Sequence, residues 1–221
     1  MDNDQLTTHN PQPTLHKLLL ASANPGKLRE FQAAARPLGI EVRTLPGFCQ
    51  LAPCIEDGDS FEANALKKAL YYSALADGLV FADDSGICVD ALGGAPGVCS
   101  ARFAGPDASD EANNRKLLHE LHRVEAEAGH GPTSAAHAAH YVCVIALAAR
   151  GELITTVEGS AHGMIVDTPC GTGGFGYDPY FFFPRLGKTF AEITAHQKFG
   201  VSHRGEAFRK LLDFLKRWPA R

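Results

Sequence analysis

The sequence predicts an α/β fold built on a mixed sheet, and three observations lead to it. Leu18-Leu19-Leu20-Ala21 reads as a short buried strand, and it runs through the turn Ser22-Ala23-Asn24-Pro25-Gly26 into apolar residues at helical spacing. Tyr141 to Ala149 is strongly apolar, Arg150-Gly151-Glu152 turns the chain, and Leu153 to Glu158 alternates, so this is a hairpin and part of the sheet is antiparallel. The chain has 221 residues and is 45% apolar, which suits a single domain with a proper core.

In the first helix, from Lys27, the positions Leu28, Phe31, Ala35 and Leu38 share a face, and Gly39 ends the run. Ile40 to Leu45 alternates as a half-buried strand, and Pro46 to Asp59 is a loop carrying Cys49, Cys54, Glu56 and Asp57. Ser60 is a good N-cap for a helix through about Ala76, with Phe61, Ala65, Leu66, Ala69 and Leu70 on one side. Asn64 and Lys68, four residues apart, share another face of that helix. Ser109 caps a further helix that turns Leu117, Leu118 and Leu121 inward, and residues 123–139, rich in Ala, Gly and His, read as its tail plus a mobile loop. His130, His137 and His140 match no compact ligand spacing and are assigned to solvated loop. Gly171-Thr172-Gly173-Gly174-Phe175-Gly176-Tyr177-Asp178-Pro179 precedes an aromatic strand, Tyr180 to Phe183. Glycines beside aromatics in this way allow backbone to approach a flat ligand closely. Ser202-His203-Arg204-Gly205 then caps a last amphipathic helix with Phe208, Leu211, Leu212 and Leu215 inward.

The net charge of −4 argues against a surface devoted to nucleic acid or anionic membrane. An anionic ligand would therefore be held by local cations. Residues 1–16 are polar with Pro11 and Pro13, and are expected to be a disordered tail rather than an export signal. No apolar run approaches the roughly 18 to 20 residues that span a bilayer. Six scattered cysteines without a Cys-x-x-Cys pair read as reduced core thiols, which points to the cytoplasm.

Chemistry concentrates at Phe81-Ala82-Asp83-Asp84-Ser85-Gly86. Adjacent carboxylates point the same way only where backbone leaves the sheet, so the expectation is a strand ending in an Asp-Asp-Ser-Gly turn. Crowded acids repel unless a cation or shared proton relieves them, and a divalent metal is a common remedy. Ser22 to Lys27 places small residues and a lysine at a helix N-terminus, an anion site without the Walker spacing. Lys68 offers a second phosphate contact, and Glu56 with Asp84 offers magnesium ligands. Read from the residues alone, the chain is a magnesium-dependent phosphohydrolase with a pocket for a flat base.

The ordered blocks Ser22-x-Asn24-x-x-Lys27, Phe61-x-x-Asn64-Ala65-x-x-Lys68-Ala69, Ala82-Asp83-Asp84-Ser85-Gly86 and Leu92-Gly93-Gly94-x-Pro96-Gly97-x-x-Ser100-Ala101-Arg102 resemble the inosine triphosphate pyrophosphatases, also called dITP/XTP pyrophosphatases. Gly173 to Pro179 and Lys198-x-x-x-Ser202-His203-Arg204-Gly205 complete the pattern in order, from about Lys17 to Arg217. The resemblance implies an elongated two-lobed α/β fold around a long mixed sheet with flanking helices. It also implies a homodimer, an active site in the cleft between lobes, and magnesium-dependent hydrolysis of ITP, dITP and XTP to monophosphate and pyrophosphate. By position, it makes Asp84 proton acceptor and metal ligand and Glu56 the other metal ligand. Ser22, Ala23, Asn24, Pro25, Gly26, Lys27, Asn64, Lys68 and Ser85 become phosphate or substrate contacts, and Phe175, Gly176, Tyr177, Asp178, Lys198, His203 and Arg204 form the base pocket. Asp83 either orients Asp84 or binds a second metal.

The tail to His16, the long segment at 123–139, and His140 where arginine is frequent depart from the family. Two rivals come from other classes. An aspartic protease would use Asp84-Ser85-Gly86 but no lysine-bearing phosphate turn, and a nucleotide sensor would bind without turnover.

Overall fold

The computed structural model describes residues 17–129 and 137–218. The expected tail at 1–16 lies outside the described residues, as does 130–136. In chain order the regular elements are β1 (Lys17–Leu20), α1 (Pro25–Ala35), β2 (Glu41–Thr44), α2 (Phe61–Ser73), β3 (Val80–Val89) and α3 (Asp110–Ala128), followed by β4 (Ala138–Ala149), β5 (Glu152–Ile165), β6 (Phe181–Phe183), β7 (Lys188–Thr189), α4 (Ala195–Val201) and α5 (His203–Arg217).

The strands form one mixed sheet in the order β2-β1-β3-β4-β5-β6-β7. β1 runs parallel to both β2 and β3, whereas β3 through β7 pair antiparallel. Because successive strand residues face opposite ways, β1 and β3 feed two separate cores. Leu18, Leu20 and Phe81 pack with Phe31 of α1 and Phe208, Leu211 and Leu212 of α5. Leu19, Val80 and Ala82 pack on the other face with Ala65, Ala69 and Tyr72 of α2. Further along the same strands, Ile87, Val89, Tyr141 and Ala161 join Leu117 and Leu121 of α3 and Phe181 and Phe190 in a third cluster. The fold is therefore two-lobed, with cores at both ends of the long strands β3, β4 and β5. Residues 83–86 fall between the cores.

Several expectations need correction here. Asp83-Asp84-Ser85-Gly86 is not a turn: β3 runs unbroken through it, and Asp83, Asp84, Ser85 and Gly86 pair with Ile145, Val144, Cys143 and Val142. Gly86 resembles a turn residue in sequence but serves close packing, since a Cβ there would sit 2.3 Å from Ser100 Oγ and 2.5 Å from the Gly97 carbonyl. Of the helix tail plus loop expected over 123–139, the tail is α3 continuing to Ala128, whereas Ala138 and Ala139 belong to β4 and not to a loop. Arg123 pairs with both Glu120 and Glu127 on the solvated face of α3, and Gly129 closes the helix in the left-handed conformation. His140, expected in the loop, lies in β4 and stacks on His162. The cysteines are all unpaired, but of the six only Cys143 is buried.

Candidate active site

A cavity of about 450 Å³ opens over residues 83–86, lined also by the β1–α1 turn, Glu56, Lys68, the 171–179 loop, Lys198, His203 and Arg204. Each wall is set by local structure. Asn24 caps α1, its Oδ1 accepting from the Gly26 and Lys27 amides at 2.8 and 3.2 Å, and Pro25 opens the helix. Ser22 Oγ accepts from the Asn24 amide at 3.2 Å. The amides of Gly26 and Lys27, expected to face an anion, are thus already occupied by Asn24. The positive contribution of this terminus rests on Lys27 and the helix dipole.

Asp83 and Asp84 leave opposite faces of β3 and meet different partners. Lys27 Nζ lies 2.9 Å from Asp83 Oδ2, and Arg204 Nε lies 3.6 Å from the same oxygen. Burial disfavours the Asp83 charge, but Lys27 and Arg204 outweigh it and hold the carboxyl below its ordinary 3.8. Asp83 is therefore a clamp between two cations. On the other face, Lys68 Nζ donates to Asp84 Oδ1 at 3.2 Å, to Glu56 Oε2 at 2.7 Å and to the Asp83 carbonyl at 2.9 Å. Asn64 Nδ2 donates to Asp84 Oδ2 at 3.2 Å, while Asn64 Oδ1 accepts from the Gly58 amide at 2.8 Å and so ties the loop to the helix. Burial pushes the Asp84 carboxyl above 3.8 although Lys68 and Lys27 pull it down. The ammonium of Lys68 behaves oppositely, because Asp84, Asp83 and Glu56 overcome burial and raise it above 10.5.

The far wall is a second charge cluster. Lys198 Nζ lies 2.6 Å from Asp178 Oδ2 and 3.0 Å from Glu30 Oε1, and Arg204 pairs with Glu30 Oε2. Burial raises the cost of the Glu30 charge, yet Arg204 and Lys198 hold it below 4.5. Asp178 stays above 3.8 because its burial outweighs Lys198. Its Oδ2 also accepts from the Phe175 amide at 2.8 Å, which shapes the loop. Gly174, at φ 72°, packs on that carboxylate where a Cβ would come within 2.0 Å. The Phe175 ring lies over Lys198 at 4.8 Å and Arg204 at 5.4 Å. Arg204 also donates to Ser85 Oγ at 3.0 Å, linking this cluster to β3.

His203 stacks on Tyr141 with ring centroids 4.5 Å apart and 6° between planes. Burial, followed by the nearby Arg204 charge, pushes it well below 6.5, so it is neutral. Its Nδ1 is buried with no hydrogen-bond partner among the described residues. Asp83 Oδ1 and Arg204 Nε, close by, are likewise buried without a hydrogen-bond partner among the described residues. Tyr177 directs its hydroxyl to the Ser100 carbonyl at 2.7 Å, and the Gly176 amide donates to Asp110 at 2.7 Å.

Every residue assigned to the site from the sequence therefore lies in or beside one cavity. Glu30, Asp110 and Tyr141 were not anticipated, and Ser100, though part of a family block, was given no role in the site. Glu30 reads as a solvated helix acid, Asp110 as an ordinary first-turn acid of α3, and Tyr141 as a core strand residue, so nothing in their local pattern separates them from bland roles. Chemically, the arrangement pairs a carboxylate of raised pKa with lysines that can serve phosphate oxygens, and sets an aromatic face beside hydrogen-bond donors.

Residues 18–214 match the Ham1 family. The chain is 46% identical over 199 residues to the dITP/XTP pyrophosphatase of Geobacter sulfurreducens, covering 90% of this chain and 96% of that protein. It is 47% identical over 204 residues to the dITP/XTP pyrophosphatase of an Exiguobacterium species, covering 90% and 99%. Among solved structures, a Ham1 protein of Coxiella burnetii superposes with a TM-score of 0.78 at 34% identity, covering 92% of this chain and all (100%) of that one. The Staphylococcus aureus Ham1 protein gives 0.76 at 36% identity, covering 90% and 98%.

Proposed function

Because the chain belongs to the Ham1 family, we propose that it hydrolyses non-standard purine nucleoside triphosphates, namely ITP, dITP and XTP, to the monophosphate and pyrophosphate. The observation that carries this reading is Asp84: a carboxylate raised in pKa by burial, held by Lys68 and Asn64, in a cavity also lined by the Phe175 ring and by Lys27, Lys198 and Arg204. Hydrolysis at the α-phosphorus needs an oriented water, a proton acceptor and neutralised phosphate oxygens. Asp84, held in place by Lys68 and Asn64, accepts the proton of the attacking water. Lys68 and Lys27 move from carboxylate partners onto phosphate oxygens as the anion enters.

Magnesium fits the donor set. Among the described residues no group of three or more His, Cys, Asp or Glu side chains is arranged to cage a metal, and magnesium is commonly held by one or two carboxylates together with substrate phosphates. Glu56 and Asp84, now bridged by Lys68, are the carboxylates that would hold it. When bound it would neutralise phosphate charge and lower the pKa of a nearby water.

In the base pocket, Phe175 stacks on the purine, and Lys198 or Arg204 donates to the 6-keto oxygen of hypoxanthine or xanthine. Neutral His203, stacked on Tyr141, lines the same wall. Adenine brings an amino donor against donors, and each buried group left unpaired costs about 1 to 3 kcal/mol. Guanine keeps the 6-keto oxygen, so its rejection falls to the 2-amino side. The same reading makes residues 17–221 one catalytic domain acting as a homodimer in the cytoplasm to cleanse the nucleotide pool.

The test is pyrophosphate release from ITP, dITP and XTP beside ATP and GTP, with magnesium and with EDTA. Magnesium-dependent turnover of the keto purines with little from ATP or GTP is the expected result. No turnover of any triphosphate would leave a nucleotide-binding module or a different phosphohydrolase.

A further inference from the structure

Five cations line the cavity: Lys27, Lys68, Lys198, Arg204 and Arg102. Four are already neutralised, Lys27 by Asp83, Lys68 by Glu56 and Asp84, Lys198 by Glu30 and Asp178, and Arg204 by Glu30. Arg102 forms no ion pair among the described residues, and its side chain is exposed at the cavity rim. Its backbone, in contrast, is fixed. Arg102 ends a 3₁₀ turn, Gly97–Arg102. In that turn Ser100 Oγ accepts from the Ile87 amide at 2.9 Å and donates to the Gly97 carbonyl at 2.6 Å. The Ser100 carbonyl accepts from the Tyr177 hydroxyl at 2.7 Å, and the Ala101 carbonyl accepts from Asn113 Nδ2 at 3.1 Å. On the other side Asn113 Oδ1 accepts from the Ala104 amide at 2.8 Å, and the Arg102 carbonyl from the Gly105 amide at 3.0 Å. An arginine that merely solvates a surface needs no such anchoring of its root.

Charge balance gives that free guanidinium a task. The five carboxylates Glu30, Glu56, Asp83, Asp84 and Asp178 are taken up by the other four cations and none reaches Arg102. A triphosphate entering this site displaces partners from the paired cations and meets a full, unspent charge at Arg102. A planar guanidinium with several free N–H donors suits phosphate oxygens, which it can take in pairs. We propose that Arg102 is a substrate-binding residue that grips the triphosphate chain from the 97–102 turn, a role that rests on the phosphohydrolase reading above.

Arg102→Gln and Arg102→Lys test it against wild type by three readouts: ITP kinetics, calorimetric binding of inorganic tripolyphosphate with magnesium, and calorimetric binding of inosine. Arg102→Gln is expected to weaken tripolyphosphate binding about tenfold, raise KM for ITP, and leave inosine binding and the melting temperature unchanged, with Arg102→Lys restoring part of the loss. Unchanged tripolyphosphate affinity overturns the proposal, as does a loss confined to inosine or a wild type that does not bind tripolyphosphate. If wild type hydrolyses no triphosphate, the functional reading fails, while the tripolyphosphate measurement still decides the role of Arg102.

Discussion

Asp83 and Asp84 are adjacent in sequence and chemically opposite. Asp83 is buried, yet Lys27 and Arg204 hold it ionised; Asp84 is partly buried, and burial raises it. Neighbouring acids pushed apart in this way commonly divide the work, one as a structural charge and one as the group that moves a proton. Asp84→Asn is therefore expected to lower kcat for ITP by about 100-fold or more while KM changes little. A rate within about tenfold of wild type would remove Asp84 from the role of base. The base acts ionised, so kcat/KM should fall on the acid side of the pH profile, and Asp84→Asn should remove that limb. For stability the sign is reversed. A raised folded pKa adds stability below 3.8 that is lost as pH rises through the raised value, so Asp84→Asn should hold or raise the melting temperature at pH 8.

At the scale of elements, much was legible from side-chain spacing and caps. Ser60, Ser109 and Ser202 each cap a helix by accepting an amide hydrogen bond, as read from their positions before apolar runs. α4 escaped notice because it is only Ala195–Val201 and its capping box, Thr194 with Gln197, precedes no apolar run. β3 was misread because glycine in a strand interior and glycine in a turn look alike in sequence. Only the neighbour filling the missing Cβ distinguishes them, and that neighbour is distant in the chain. The same reasoning gives a paired prediction. At Gly159 of β5 a Cβ would lie 2.3 Å from the His203 carbonyl and 2.4 Å from the Ala207 amide, backbone that cannot yield without parting β5 from α5. Gly200 of α4 faces open space, with nothing within 4 Å. Gly159→Ala should cost about 1 to 3 kcal/mol by overpacking, whereas Gly200→Ala should gain about 0.5 to 1 kcal/mol from helix propensity. Urea denaturation of both variants checks the signs; equal effects would mean that strand–helix contact is not what requires Gly159.

Over the whole molecule, the site is assembled by contacts no local pattern announces. Lys198 meets Glu30 across 168 residues, and Arg204 meets Ser85 across 119. Motif resemblance could nominate Lys198 and Arg204 because it carries three-dimensional information from relatives, but it said nothing of Glu30, the carboxylate between them. Such a buried charged centre makes the fold's stability answer to pH, and His203 sets where that begins. Folded His203 is held neutral well below 6.5, whereas in the unfolded chain it protonates near 6.5. Its contribution is thus fully present above 6.5 and is lost as pH falls below it, by about 1.4 kcal/mol per pH unit for one proton. Glu30 and Asp83, also lowered, begin to lose their contributions only below 4.5 and 3.8. Asp84 and Asp178, both raised, act in the opposite direction as pH falls, but they persist in any His203 variant and cancel in the comparison. Unfolding free energies at pH 7.5, 6.5 and 5.5 should therefore decline more steeply for wild type than for His203→Phe, which keeps a ring against Tyr141 and removes the proton site. Parallel declines would show that His203 is protonated to the same extent in both states, and that the wall on which the base is proposed to rest is open to water.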